Sequence, residues 1–164
     1  MKFRCEHRFL GLTLADYEAV YFDEEFNVAL CKAVNLQRSL ISIDTTNGRL
    51  RRVVKVAPDR EIPGPAAKIL GTNKIEYTET IEYTFGSGRA TWSTVSSVMT
   101  DKVDSRGTVS FSAIGGQMVR TVDGDVTVKI PFVGGTVERF IIADIEKSYD
   151  RASDFTRTWL ANKK

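Results

Sequence analysis

The chain has 164 residues, of which 42% are hydrophobic and 27% charged, and its formal net charge at pH 7 is +2. These values are ordinary for a soluble globular protein with one domain over residues 1–164, and they do not point to nucleic acid as a partner. No apolar run reaches the about 18 residues of a membrane-spanning helix, and charged residues interrupt the N-terminus. We therefore expect no signal peptide, no transmembrane segment and a cytoplasmic location.

Cysteine, histidine and glycine usage gives no motif for a metal, a cofactor or a nucleotide. Cys5 and Cys31 lie far apart and neither belongs to a Cys-x-x-Cys pair, so two buried thiols are expected. His7 is the only histidine, and nothing pairs it with a nucleophile beyond Cys5 two residues earlier. Gly134 and Gly135 lack the lysine and serine of a phosphate loop and predict a tight turn. We assign no cofactor, no metal site and no catalytic residue.

The chain begins with a predicted strand that is followed by two short helices. From Lys2 to Phe9 apolar and charged residues alternate, which places one face in the interior. That inward face carries Phe3, Cys5, His7 and Phe9. Thr13, with Asp16 three residues later, resembles a capping box, and Asp23 can cap a second helix.

A hairpin and a long irregular connection follow. The run "LQRSLISIDTTNGRLRRVVKVA" predicts two strands joined at Asn47-Gly48, a strong short-range hairpin signal. Its basic residues are interpreted as a solvated face and not as a phosphate site; they are Arg49, Arg51, Arg52 and Lys55. Between Pro58 and Gly71, prolines and glycines leave room for only a short helix around Ala66 to Leu70.

The same connection places apolar side chains beside basic ones, namely Ile62, Ile69 and Leu70 beside Arg60 and Lys68. This mixture fits a cover over a cavity mouth or a peripheral contact with a membrane surface. The alternative is a short helix that packs over the open edge of the sheet.

Four more strands with alternating patterns precede the last helix. In "KIEYTETIEYTF" only Glu79 interrupts the apolar face, and Gly86-Ser87-Gly88 turns the chain into "RATWSTVSSVM". After a polar loop from Thr100 to Gly107, "TVSFSAI" and "QMVRTVDGDVTVKI" form a hairpin about Gly115-Gly116.

The end of the chain predicts one long amphipathic helix from about Thr136 to Asn162, roughly 40 Å in length. Its inward stripe comprises Val137, Ile141, Ile145, Ser148, Ala152, Phe155 and Trp159, and the opposite side carries Arg139, Glu146, Asp150 and Arg157. Runs of strands with segregated helices indicate an α+β fold. We predict a curved seven-stranded antiparallel sheet around the long C-terminal helix, with two short helices after the first strand.

At this point the chain resembles the START-like (SRPBCC) helix-grip superfamily, which includes START lipid-transfer domains, the birch-pollen allergen family and bacterial polyketide cyclases. The element order matches over essentially the whole chain. In detail the chain is similar to a bacterial branch known as a domain of unknown function, through "HRF" at His7 to Phe9, "IPGPAAKILG" at Ile62 to Gly71, "VKIPFVGGTVERFI" at Val128 to Ile141, and the ending "FTRTWL". The phrase "IPFVGGTVE" with its following helix is also similar to the mitochondrial PRELI phospholipid-transfer family.

The resemblance implies a cavity between sheet and long helix that holds a lipid, sterol, polyketide or other apolar molecule, and it does not imply catalysis. The leading hypothesis is therefore binding or transport of a hydrophobic small molecule or lipid. One alternative is a polyketide cyclase or aromatase in which His7 or Glu79 acts as general base. Another is a protein-interaction module whose cavity has collapsed around its aromatic residues. The oligomeric state stays open.

Polar side chains on inward faces are the candidate ligand contacts. The alternation of side chains along the strands directs His7, Glu79 and Arg120 toward the helix. A bulge at Asp123-Gly124-Asp125 would change which face of its strand Arg120 occupies. Because an isolated buried carboxylate is costly, we expect Glu79 to pair with Arg120 and, with His7, to hold the polar head of an apolar ligand. The alternative is a structural ion pair at the sheet edge. The predicted site comprises His7, Tyr77, Glu79, Tyr83, Trp92, Phe111, Met118, Arg120, Ile141, Ile145 and Phe155.

Overall fold

A computed structural model describes residues 1–59 and 61–163 of the chain. Strands and helices follow one another in the order β1 (Lys2–Leu10), α1 (Leu14–Tyr21), α2 (Glu24–Ala33), β2 (Leu36–Thr46), β3 (Arg49–Pro58), α3 (Gly64–Leu70), β4 (Tyr77–Thr84), β5 (Arg89–Ser96), β6 (Val103–Ile114), β7 (Gln117–Val128) and α4 (Gly134–Asn162).

The strands form one seven-stranded antiparallel sheet in the order β1-β7-β6-β5-β4-β3-β2. Every pair except β1 and β7 joins strands that are consecutive in the chain, because α1 and α2 carry the chain from one edge of the sheet to the other. The predicted fold class is confirmed: an α+β fold in which an antiparallel sheet holds a long C-terminal helix.

Local sequence signals start and stop these elements as expected. The Asp16 amide donates to the Thr13 hydroxyl at 3.2 Å, and Asp16 accepts from the Thr13 amide, which completes the capping box of α1. Asp23 accepts from the Phe26 amide at 2.8 Å and caps α2. Asn47 and Gly48 both have positive φ, 53° and 72°, as a two-residue hairpin turn requires.

One local prediction was wrong, one alternative is excluded, and one irregularity was not predicted. β6 begins at Val103, inside the predicted polar loop from Thr100 to Gly107, because the β6–β7 ladder continues to Val103 and Val128. The bulge considered at 123–125 does not form, since the β1–β7 register is continuous. A register shift lies instead in β2, between Leu40 and Ser42.

The connection before β4 packs against the core. Ile62, Ala66 and Leu70 are buried in the main hydrophobic cluster, and α3 contacts α4. α3 therefore packs on α4 and the core, whereas the alternative interpretation expected it over the open edge of the sheet. Arg60, which belonged to the predicted mixed patch, lies outside the described residues.

Two glycines lie side by side on the inner face of the sheet. Gly107 and Gly124 pair across β6 and β7, with Trp92 beside the first and Phe3 beside the second. A Cβ at Gly107 would lie 1.9 Å from the Asp123 carbonyl oxygen, and a Cβ at Gly124 would lie 2.3 Å from the Phe3 ring. The rings of Phe3 and Trp92, 6.3 Å apart, therefore lie against bare backbone.

α4 lies on the inner face of the sheet, and its buried face is slightly rotated about the helix axis from the predicted inward stripe. Val137 and Ala152 are buried as predicted, but Ser153 and Thr156 are buried as well. Their hydroxyls donate to the carbonyls of Tyr149 and Ala152, one turn earlier, at 2.8 and 2.7 Å, so they enter the interior with a partner. No helix in the described part of the chain is long and apolar enough to cross a membrane.

Candidate functional site: a cavity between the sheet and the long helix

A cavity of about 270 Å³ lies between the inner face of the sheet, α2 and α4. This volume is close to the lower end of the about 300–1,000 Å³ typical of small-molecule pockets. Most of its wall is apolar or aromatic, including Phe26, Val54, Ile75, Trp92, Phe140 and Ile145. The interior has therefore not collapsed around its aromatic side chains.

Six of the predicted site residues line this cavity. They are Tyr77, Glu79, Trp92, Arg120, Ile141 and Ile145. The alternation along the strands predicted the inward position of the first four residues, and the helical periodicity of α4 predicted that of the last two.

Two predicted residues, Tyr83 and Phe111, lie instead in an aromatic cluster between α1 and the sheet. Their ring centroids are 5.8 Å apart, and Phe22 lies 4.7 Å from Tyr83. The Tyr83 hydroxyl donates to the buried Glu18 carboxylate and accepts from the Gly88 amide at 3.1 Å. Burial and the Glu18 contact raise the pKa of Tyr83 to about 12. Tyr83 thus ties α1 to the β4–β5 turn and does not face the cavity.

Met118, Phe155 and His7 also lie outside the cavity wall. Met118 is completely buried in the core of the sheet. Phe155 packs between Phe26 and Trp159, with ring centroids 6.0 and 5.9 Å away, where α4 meets α2. His7 projects inward from β1, but Arg120 lies between it and the cavity.

Arg120 and its neighbours form one polar cluster, here called the Arg120 cluster (Arg120, His7, Ser153 and Asp150). Nη2 of Arg120 donates to Ser153 Oγ at 2.7 Å and lies 3.2 Å from His7 Nδ1. Since a guanidinium has no acceptor, Nδ1 must be the unprotonated ring nitrogen, and Nε2–H donates to Asp150 Oδ1 at 2.8 Å. Burial and the Arg120 charge lower the pKa of His7, which favours this neutral ring.

The predicted Glu79–Arg120 pair does not form. Glu79 lies on β4, and β7 is three strands away, so the two side chains belong to different sides of the cavity. Within the described residues, no salt bridge joins them. Burial raises the pKa of Glu79, while the nearby guanidinium groups of Arg52 and Arg38 act in the opposite direction.

Arg52 is the main residue that the sequence interpretation placed wrongly. It was assigned to a solvated face, yet its side chain is only 5% exposed and lines the cavity. Its position on β3 shares parity with the buried Leu50 and Val54, which was the available signal. Arg49, Arg51 and Lys55 are exposed, as predicted for that group.

Arg52 belongs to a second polar cluster, here called the Arg52 cluster (Arg52, Arg38, Glu24 and Glu79). Arg38 donates two hydrogen bonds to Glu24, at 2.7 and 2.9 Å. The Glu24 carboxylate lies 3.7 Å from Arg52 Nη1, which is too long for a hydrogen bond. Nε and Nη1 of Arg52 are buried without a hydrogen-bond partner in the described part of the chain.

Two tyrosines of the cavity wall were absent from the predicted site. Tyr21 and Tyr149 both line the cavity, and burial raises the pKa of each hydroxyl. The ring of Tyr149 lies 5.1 Å from Arg120 Cζ, and that of Tyr21 lies 4.9 Å from the ring of Phe111. Over residues 1–59 and 61–163, no group of three potential ligands from His, Cys, Asp and Glu is arranged to hold a metal ion.

Comparisons with known proteins agree with this architecture. The family model described as "Protein of unknown function (DUF2505)" matches residues 7–160. No curated protein matches the chain.

Solved structures resemble the fold at low sequence identity. The TTHA0849 protein of Thermus thermophilus is 15% identical with a TM-score of 0.65, over 94% of this chain and 96% of the other. The Zhui aromatase/cyclase of a Streptomyces species is 10% identical with a TM-score of 0.62, over 96% and 93%. A START superfamily protein from Mycobacterium smegmatis is 11% identical with a TM-score of 0.56, over 99% of both chains. At these identities the likeness concerns the fold alone.

Proposed function

Since the chain belongs to the family described as a protein of unknown function, DUF2505, we propose a function from its cavity: the protein binds an amphipathic small molecule or lipid between the sheet and α4. The body of this ligand is apolar, and its polar end lies against one of the charged clusters.

The observation that carries this proposal is a cavity of about 270 Å³ with a mostly apolar wall. An apolar molecule in this volume would make dispersion contacts with the side chains that surround it. Removing apolar surface of the ligand from water contributes about 25 cal/mol per Å². The START-like fold, which a START superfamily protein shares, also supports a ligand-binding role.

Native mass spectrometry of the protein purified from its own host tests this proposal, followed by organic extraction of whatever is released. We expect a stoichiometric apolar molecule. Reproducible absence of a bound molecule, together with no thermal shift from a panel of lipids and polyketides, would contradict the proposal.

A cavity-filling variant separates binding in the cavity from binding on the surface. Ala152 lies on α4 in the cavity wall, so Ala152→Phe should fill part of the volume and abolish the copurified molecule. Ala143→Phe is the matched control, because Ala143 is exposed on the same helix and does not line the cavity. Equal retention of the molecule by both variants would place it elsewhere.

One observation favours a second candidate, a polyketide cyclase or aromatase-like enzyme. Glu79 places a carboxyl group in the cavity wall, and burial raises its pKa, and both features are common among general bases and acids. Turnover of a polyketide substrate analogue by the wild type, lost in Glu79→Gln while binding persists, would establish this activity. Binding without turnover leaves the binding function as the conclusion.

A further inference from the structure

Arg52 is a buried cation with unused hydrogen-bonding capacity. Its side chain is 5% exposed, it lines the cavity, and two of its three nitrogens, Nε and Nη1, have no hydrogen-bond partner in the part of the chain that the structure describes. Buried polar atoms in native proteins are almost always paired, and a buried charge without a partner is especially unfavourable. The position therefore requires an explanation that core packing does not provide.

The neighbouring carboxylates do not satisfy this guanidinium. Glu24 makes both of its hydrogen bonds with Arg38, and its nearest oxygen stays 3.7 Å from Arg52 Nη1. Glu79 faces the same region, but among the described residues no nitrogen–oxygen contact within 4 Å joins it to Arg52. The ring of Phe22, 5.8 Å from Arg52 Cζ, offers only a weak cation–π contact.

We infer that the Arg52 cluster is the head-group subsite of the cavity, and that it binds an oxyanion, a carboxylate or a phosphate, carried by an apolar tail. A guanidinium presents paired N–H donors that match the geometry of both groups. The salt bridge from Arg38 to Glu24 holds the surroundings in place, so that Arg52 is the group left to meet the ligand. The inference rests on the proposed function, because the tail must occupy the cavity.

Arg120 is the weaker candidate for this role. Its guanidinium already contacts Ser153 and His7, and it lies 5.1 Å from the ring of Tyr149 and 5.6 Å from that of Phe9. Its Nε is buried without a hydrogen-bond partner within the described residues, whereas Nη2 contacts two acceptors. The protein itself therefore provides Arg120 with hydrogen-bond contacts that Nε and Nη1 of Arg52 lack within the described residues.

Titration calorimetry with three ligands of one tail length tests the inference: decanoate, decyl phosphate and 1-decanol. We expect wild-type protein to bind at least one of the two anions about ten- to hundredfold more tightly than the alcohol, the usual range for charge-assisted hydrogen bonds. The stronger of the two anions identifies the head group as carboxylate or phosphate. This comparison needs no variant.

Two variants then assign the preference to Arg52. Arg52→Gln should weaken anion binding by about ten- to hundredfold and leave 1-decanol nearly unchanged. Arg51→Gln is the matched control, because Arg51 is the exposed neighbour on β3, and it should change neither ligand. Glu79→Gln removes a negative charge from the same end and should tighten anion binding.

The outcomes separate this inference from the proposed function. Equal binding of the three ligands by the wild type would overturn the inference while the cavity function stands. Failure of all three, together with no copurified molecule, would overturn both. A preference for anions that Arg52→Gln leaves intact, or weaker anion binding in Glu79→Gln, would also overturn the assignment to this cluster.

Discussion

The two charged clusters of the cavity use the same chemical group in different ways. In the Arg120 cluster, the buried guanidinium on β7 is surrounded by neutral acceptors and aromatic rings that β1 and α4 contribute. In the Arg52 cluster, two guanidinium groups lie near two carboxylates, yet one of them keeps unpaired nitrogens within the described residues. The first arrangement joins elements that are distant in the chain. The second leaves hydrogen-bonding capacity at the cavity wall.

This difference shows that burial alone does not identify a functional charge. Arg120 and Arg52 are both buried, at 3% and 5% exposure, and both line the cavity. What distinguishes them is the state of their hydrogen bonds, because a satisfied group stabilises the fold and an unsatisfied one lowers its stability. The following predictions test that distinction.

The largest effect is expected from removing the two arginines in turn. Arg120→Met should lower the free energy of unfolding by about 2–4 kcal/mol, because His7 and Ser153 lose a buried partner. Arg52→Met should cost less than about 1 kcal/mol or stabilise the protein, because it removes a buried charge whose Nε and Nη1 have no hydrogen-bond partner in the described part of the chain and whose ion pair with Glu24 is long, at 3.7 Å. Urea unfolding measures both, and equal losses would erase the distinction between the clusters.

A smaller effect tests the hydrogen bond on which the Arg120 cluster depends. Ser153→Ala removes the acceptor at 2.7 Å from Arg120 and should cost about 1–2 kcal/mol. Thr158→Ala, at an exposed position on the same helix, is the control and should change stability by less than about 0.5 kcal/mol. If the two variants unfolded at the same urea concentration, Ser153 would not support Arg120.

Glu79→Gln should stabilise the protein at neutral pH by about 1 kcal/mol. The folded-state pKa of Glu79 is raised by burial, so its contribution to stability is fully present below the unfolded-state pKa and is lost as pH rises through the folded-state pKa. The gain from Gln should therefore disappear in acid. Glu82→Gln, at an exposed position on β4, serves as control. A gain that persists unchanged in acid would contradict a titrating Glu79.

The smallest effect at neutral pH concerns His7, because it appears only on acidification. The folded-state pKa of His7 lies below the unfolded value of 6.5, so the neutral ring contributes stability above pH 6.5, and this contribution is lost as pH falls through the folded-state pKa. The slope can reach about 1.4 kcal/mol per pH unit. His7→Gln should lack this component when unfolding is followed across that pH range. A wild-type slope retained in the variant would assign it to another group.

Strand parity predicted most of the fold and which side chains face inward, but it could not predict their partners. Glu79 and Arg120 both point inward as predicted, yet the sheet order places three strand steps between them. Partners across a sheet follow from strand order, which no local pattern contains. The resemblance supplied the topology but not the positions of side-chain tips.

Two further misses have physical reasons of their own. Arg52 was grouped with its basic neighbours by charge, although its parity with Leu50 and Val54 indicated the interior. Asp150 was assigned to the outer side of α4, yet it reaches His7, because β1 at the edge of the sheet lies beside that flank of the helix. A helical stripe describes the centre of a contact and not its borders.

The paired glycines of β6 and β7 lie beneath the apolar wall of the cavity and apart from the Arg52 cluster. Phe3 and Trp92 form part of its wall, and a Cβ at Gly124 would come within 2.3 Å of the Phe3 ring and 2.8 Å of the Trp92 ring, so a methyl group there would displace a ring of the wall. At Gly107 the same group would instead meet the backbone carbonyl of Asp123. Both glycines are on strands that contribute nothing to the Arg52 cluster. A substitution at Gly124 would therefore reshape the apolar wall of the cavity from a strand that carries no residue of the Arg52 cluster.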